Sequence, residues 1–147
     1  MVHAVAFILM LQGVAAVYAQ FKLSYIDDRK TVWVIEDSPI DVIVYRSQID
    51  KTKYKVRYFK SLNGLGFRML FDTPDGAIAD YQLPRTNGDE FFKVCRLNKI
   101  PVVMVTSFDT EIFGIEDKDI IKKSVGFSHF GLVKQWLENN LATKQVS

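Results

Sequence analysis

From residue 31 onward the hydrophobic and polar positions switch repeatedly between strand-like runs and helix-like stretches. Residues 31–35 (TVWVI) are β-branched or aromatic and apolar on both faces, the pattern of a strand buried inside a parallel sheet. The run stops at Glu36-Asp37, and Ser38-Pro39 then supplies an N-cap and a first-turn proline, predicting a helix to about Lys51. Residues 55–59 (KVRYF) alternate as a second strand, with basic polar positions that suit an edge. A weak helix follows over residues 62–71, its propensity lowered by Gly64 and Gly66. The small residues 76–79 (GAIA) predict a third strand ending at Asp80, and a turn through Leu83-Pro84 and Gly88 leads to a helix over residues 89–97. Residues 102–105 (VVMV) read as a fourth strand with Pro101 at its start, and Ile120-Ile121 with Lys122-Lys123 as a fifth. Leu132, Val133, Trp136, Leu137 and Leu141 form the apolar stripe of a last helix.

Five strands alternating with helices at this spacing predict an α/β fold, a doubly wound parallel sheet with right-handed crossovers and helices on both faces. Ligands of such sheets collect at the carboxyl ends of the strands, beside the point where strand order reverses. The first strand ends in Glu36-Asp37, the third in Asp80, the fourth in Thr106-Ser107 and the fifth in Lys122-Lys123, while the second ends in no comparable group. In the flavodoxin-like order 2-1-3-4-5 the first and third strands are neighbours, which brings three carboxylates together. Two such charges about 4 Å apart repel by roughly 4 kcal/mol at an effective dielectric near 20. Either their pKa values rise or a cation neutralises them. A hard divalent ion such as Mg²⁺, held by carboxylates, waters and an incoming phosphate, suits this donor set. Beside it Asp80 is a carboxylate nucleophile toward a phosphoryl donor, with a lysine and the Thr106 hydroxyl offsetting charge on the transferred oxygens. Taken singly, Asp37 is as readily a helix cap, and a lone threonine or lysine at a strand end means little. The set of five is what points to phosphoryl chemistry.

Composition narrows the field. At 147 residues and 48% hydrophobic, the chain suits one globular core, residues 31–147, preceded by a hydrophobic extension over residues 1–30. Net charge is +2, with 19 basic and 17 acidic residues intermixed, so direct nucleic-acid binding is not expected. One cysteine, Cys95, fits a reducing, cytoplasmic setting, and with two histidines it leaves too few soft ligands for structural zinc. Residues 4–21 (AVAFILMLQGVAAVYAQF) carry no charge. Three readings stand for this stretch: a helix that packs on the domain or builds a homodimer, a membrane anchor, or a cleaved signal that lacks the usual basic start.

Over residues 31–140 the chain resembles the response-regulator receiver domains of two-component signalling. The resemblance rests on Val34-Ile35-Glu36-Asp37-Ser38-Pro39, on Asp80-Tyr81-Gln82-Leu83-Pro84 with Gly88 eight residues after the aspartate, on Val103-Met104-Val105-Thr106-Ser107, and on Ile120-Ile121-Lys122-Lys123. It implies a signalling phospho-acceptor rather than a conventional enzyme. Glu36, Asp37 and Asp80 would bind Mg²⁺ or Mn²⁺ together with the backbone carbonyl of Gln82. Asp80 would take the phosphoryl group from a histidine kinase or histidine phosphotransfer protein, Thr106 would be the switch hydroxyl, and Lys123 the phosphate-binding lysine, with Lys122 one register away. The message would pass to a downstream protein by surface contact or by onward phosphotransfer. The alternative is a receiver-like adaptor or dimerisation module that works without phosphate.

Three departures from the family pattern stand out. Ser124 follows Lys123 where a proline is usual, Ile120 occupies the place of an aromatic switch residue, and the interval from Thr106 to Lys123 is short by about a helical turn. The fourth helix is therefore expected to be reduced. Phe108, Phe113, Phe127 and Phe130 flank the gap and are expected to fill the core it leaves, the alternative being a partner-binding patch. Gln82 stands where a haloacid-dehalogenase-like phosphatase would carry a second aspartate, and Glu36-Asp37 would repel the phosphate of a flavin.

Overall fold

The computed structural model describes residues 12–17, 27–108 and 114–141. Its sheet has five strands: β1 (Lys30–Ile35), β2 (Tyr54–Phe59), β3 (Gly76–Asp80), β4 (Val102–Thr106) and β5 (Ile120–Lys122). All four pairings are parallel, and the order is β2-β1-β3-β4-β5, the doubly wound arrangement expected from the alternation of elements. The switch point falls between β1 and β3, so the ends of these strands, at Glu36 and Asp80, open into one crevice.

The central strands are apolar throughout because both of their faces are covered. Trp33 and Ile35 of β1, Ala77 and Ala79 of β3, and Val102 and Met104 of β4 face one layer. That layer is closed by α2 (Leu65–Met69) and α3 (Asp89–Leu97), which contribute Leu65, Met69, Phe91, Phe92 and Cys95. Ala77 and Ala79 leave room in it for the bulk of Trp33, Phe91 and Phe92. The intervening residues Val32, Val34, Ile78, Val103 and Val105 face the opposite layer with α1 (Pro39–Gln48) and α4 (His129–Leu141). There Tyr45 meets Phe130 edge to face, with ring centroids 4.6 Å apart.

Local sequence sets the helix limits. In α1 the Ser38 hydroxyl accepts from the Asp41 amide at 3.3 Å and Pro39 fills the first turn, but the helix stops at Gln48, short of Lys51. The helix expected over residues 62–71 shrinks to the five residues of α2, entered through Gly64 at φ +72. Between β4 and β5 the described residues form no α-helix: Gly114 turns the chain at φ +81 and a 3₁₀ turn spans Asp117–Asp119.

The four phenylalanines do not act together as core filler. Phe130 is buried, whereas Phe108 and Phe127 are 41% and 45% exposed, and Phe113 lies outside the described residues. Ile115 closes that end of the core instead. In α4 the apolar stripe also splits, with Val133, Leu137 and Leu141 buried and Leu132 facing outward.

Of the uncharged N-terminal stretch, residues 12–17 are helical and exposed, and the rest lies outside the described residues. Among the described residues no helix is long and apolar enough to cross a membrane.

Leu137→Ala is expected to cost about 2–5 kcal/mol in urea unfolding, because the emptied space lies between α4 and the sheet. Leu132→Ala, on the outer face of the same helix, should stay within about 0.5 kcal/mol of the parent.

Candidate functional site

The crevice at the switch point is lined by the first residues beyond, or last residues of, four strands. Glu36 directly follows β1. Its amide donates to the Phe59 carbonyl at 2.9 Å, and one carboxylate oxygen, Oε1, accepts from the Ser38 amide at 2.9 Å. Asp80 is the last residue of β3, and its Oδ1 accepts from the Gln82 amide at 3.1 Å. Thr106 ends β4, fully buried, with its Oγ1 accepting from the Phe108 amide at 3.1 Å. The Lys123 amide donates to the Thr106 carbonyl at 2.7 Å, which carries the β4–β5 ladder one residue past the strand and fixes where the Lys123 side chain starts.

That side chain is the centre of the site. Lys123 Nζ donates to Glu36 Oε2 at 3.0 Å, to Asp41 Oδ2 at 2.9 Å and to Asp80 Oδ2 at 3.0 Å. All three donors of the ammonium are thereby used. Glu36, Asp37 and Asp80 also bring one carboxylate oxygen each within 4.8 Å of one another, with Glu36 and Asp80 buried and Asp37 exposed. Gln82 lies beside them, its side chain exposed and its backbone bonded to Asp80. Lys122 points elsewhere, its Nζ meeting the Phe108 carbonyl, so Lys123 is the lysine that faces the acids.

The electrostatics follow from burial. Withdrawal from water pushes the Glu36 carboxyl up to about 7, opposed by the Ser38 amide, reinforced by the charge on Asp80 and opposed again by Lys123. Burial alone would lower the Lys123 ammonium, but the hydrogen bond to Asp41 and the charges on Glu36 and Asp80 outweigh it and raise it above the ordinary lysine value. Tyr45, one helical turn after Asp41 and fully buried below the site, is also raised by burial and by these acids.

Asp41 was not legible as a site residue from strand ends, because it belongs to a helix. Its signal was the Ser38–Asp41 spacing of a capping box. In that motif the acid reaches back to the cap amide, but here Glu36 already occupies the Ser38 amide, which frees the Asp41 carboxylate for Lys123.

Two further features shape the loops around the site. After Asp80 the chain forms a hairpin, Gln82–Leu83 against Thr86–Asn87, closed by the Gly88 amide donating to the Tyr81 carbonyl at 2.9 Å. A Cβ at Gly88 would sit 2.3 Å from the Asp80 carbonyl oxygen, so no side chain fits. After Lys123, where a proline is usual in the family that the sequence resembles, the Ser124 amide donates to His129 Nδ1 at 3.1 Å and the His129 amide donates to Ser124 Oγ at 3.0 Å. This reciprocal clasp shapes the turn into α4. Burial lowers the His129 pKa, consistent with a neutral ring whose Nδ1 accepts.

No family model matches the sequence, and no curated protein matches it. Solved structures do. A Chloroflexus aurantiacus protein assigned as a response regulator superposes with a TM-score of 0.63 at 24% identity, covering 79% of this chain and all of its own. The chemotaxis response regulator CheY4 of Vibrio cholerae gives 0.58 at 18%, covering 73% of this chain and 97% of its own. The response regulator PhyR of Brucella abortus gives 0.60 at 20%, covering 77% of this chain but 48% of PhyR. The chain has the receiver fold. Within that fold the acids at 36, 37 and 80, the Thr106 hydroxyl and the Lys123 ammonium stand at the same end of the sheet, with Asp41 reaching in from α1.

Gly88→Ala is expected to destabilise the receiver fold by roughly 1–3 kcal/mol in urea and to displace the Asp80 carbonyl. A second outcome concerns pH. With its pKa raised from 4.5 to about 7 on folding, Glu36 makes the folded state bind more protons between those values, so its contribution to stability falls as pH rises through that window. In metal-free buffer, Glu36→Gln should therefore raise the thermal midpoint at pH 8, with the gain shrinking toward pH 5.

Proposed function

We propose that this protein is a phosphorylatable receiver, a signalling protein that accepts a phosphoryl group on Asp80 from a histidine kinase or histidine phosphotransfer protein and acts through protein contacts. The observation that carries the reading is a single ammonium, Lys123 Nζ, 3.0 Å from Asp80 Oδ2 and beside a cluster of three acids. In the transfer, an Asp80 carboxylate oxygen attacks phosphorus, the bond from phosphorus to the donor breaks, and the donor leaves with the electron pair. Asp80 loses its negative charge as the acyl phosphate forms. The Lys123 ammonium would then have phosphoryl oxygens to meet in place of Asp80 Oδ2, and the Thr106 hydroxyl, at the end of the adjoining strand, would donate to another.

The donor set fits a hard divalent cation. Its acids offer oxygen only: three carboxylates (Glu36, Asp41 and Asp80) pair with one lysine and a fourth, Asp37, lies beside Glu36 and Asp80, leaving negative charge in excess. Glu36, Asp37, Asp80 and the Gln82 backbone carbonyl would hold Mg²⁺ or Mn²⁺. When bound, such an ion would offset charge on the transferring oxygens.

Phe108 lies two residues after Thr106, and its ring stands edge to face with Tyr81, centroids 5.8 Å apart. Its side chain has no group that could orient water against a phosphoryl group at Asp80, which supports slow self-dephosphorylation. The second reading, an adaptor that works without phosphate, draws on the aliphatic Ile120 at the aromatic switch position and on the lack of an α-helix among the described residues between β4 and β5.

Incubation with Mg²⁺ and acetyl phosphate separates the two. Intact-protein mass spectrometry should show uptake of one phosphoryl group that disappears in Asp80→Asn or with excess chelator. The phosphoprotein should decay over minutes or longer. Absence of any mass gain in the parent would leave the adaptor reading, and decay within seconds would refute the role given to Phe108.

A further inference from the structure

Resting on the phospho-acceptor reading, we infer that Asp41 is a positioning residue for phosphoryl transfer: the fixed counter-ion that keeps the Lys123 ammonium in the site while its other two partners change state.

The three carboxylates around Lys123 Nζ are equivalent in distance, at 3.0, 2.9 and 3.0 Å, but not in what else they are asked to do. Asp80 is the nucleophile, and its conversion to an acyl phosphate removes the charge that Lys123 now pairs with. Glu36 belongs to the three-acid cluster suited to a cation, and its carboxylate would be shared between Lys123 and any cation held there. Asp41 stands outside that cluster. It reaches the ammonium from the first turn of α1, and neither event alters its charge.

Its backbone is also independently fixed. The Asp41 amide is tied to Ser38 Oγ, and Glu36 Oε1 holds the Ser38 amide that a capping-box acid would otherwise take. The Asp41 carboxylate is thus left with Lys123 as its hydrogen-bonded partner among the described residues. Its side chain is 14% exposed and that of Lys123 is 18% exposed, so solvent is a poor substitute for the contact. A lysine with four rotatable bonds, released by Glu36 and Asp80, would otherwise gain freedom at the moment its ammonium is needed. With Asp41 in place, one of its three donors stays anchored and the remaining two can turn to phosphoryl oxygens.

The test is phosphorylation of the full chain by acetyl phosphate, with the maximal rate and the half-saturating Mg²⁺ concentration measured separately. Asp41→Asn keeps the amide that caps α1, so circular dichroism and the thermal midpoint should remain close to those of the parent. Its maximal rate should fall about tenfold, the loss expected when one charged hydrogen bond is removed. The half-saturating Mg²⁺ concentration should change much less than the rate, and Asp41→Glu should recover part of the loss. If the parent takes up phosphate and Asp41→Asn does so at a maximal rate within twofold, the inference is overturned while the phospho-acceptor reading stands. A parallel loss of rate and thermal midpoint, without recovery by glutamate, overturns it too by making Asp41 a residue of the fold. A parent protein that takes up no phosphate removes the reading on which the inference rests.

Discussion

One ammonium among carboxylates organises the carboxyl end of this sheet. Glu36 and Asp80 are almost fully buried, and neither could be kept there as an uncompensated anion, since the cost of withdrawing a carboxylate from water reaches several kcal/mol. Lys123 supplies the compensation, and supplies it to both acids at once. The arrangement ties together segments far apart in sequence: the exit of β1, the first turn of α1, the end of β3 and the residue after β5. The phosphoryl transfer proposed for Asp80 would have to loosen part of that contact.

Much of this was legible in the sequence because it depends on local rules. Strand positions followed from apolar runs bounded by polar residues, and the parallel order followed from their alternation with helices. The candidate acids were found by asking what occupies each strand's carboxyl end. Lys122 and Lys123 could not be separated that way, because a strand of three residues has too few positions to establish a period. Their difference appears only once the pairing with β4 is known. Asp41 was out of reach for another reason: its role depends on Glu36 capturing the amide that the capping motif would have used, a competition between two acids for one donor.

The aromatic residues near the shortened region show where composition misleads. Four phenylalanines beside a shortened interval invite the view that they plug the core, yet an aliphatic residue, Ile115, does so, and Phe108 and Phe127 remain substantially exposed. Apolarity gives a tendency to be buried, and geometry decides which side chains can act on it. The Ser124–His129 clasp makes a related point, because two polar residues shape a turn that a ring-constrained residue could have imposed through the backbone alone.

The brevity of β5 has a further consequence. Only Ile120, Ile121 and Lys122 pair with β4, and side chains on adjacent positions of an extended chain project to opposite sides. Two lysines in succession mean that sliding this ladder by one step would preserve the formal charge of the segment while delivering a different amine to the acids, from a different backbone position. Such a slip would go unnoticed in composition, hydropathy or net charge, so the fidelity of the site is set by alignment along a three-residue edge.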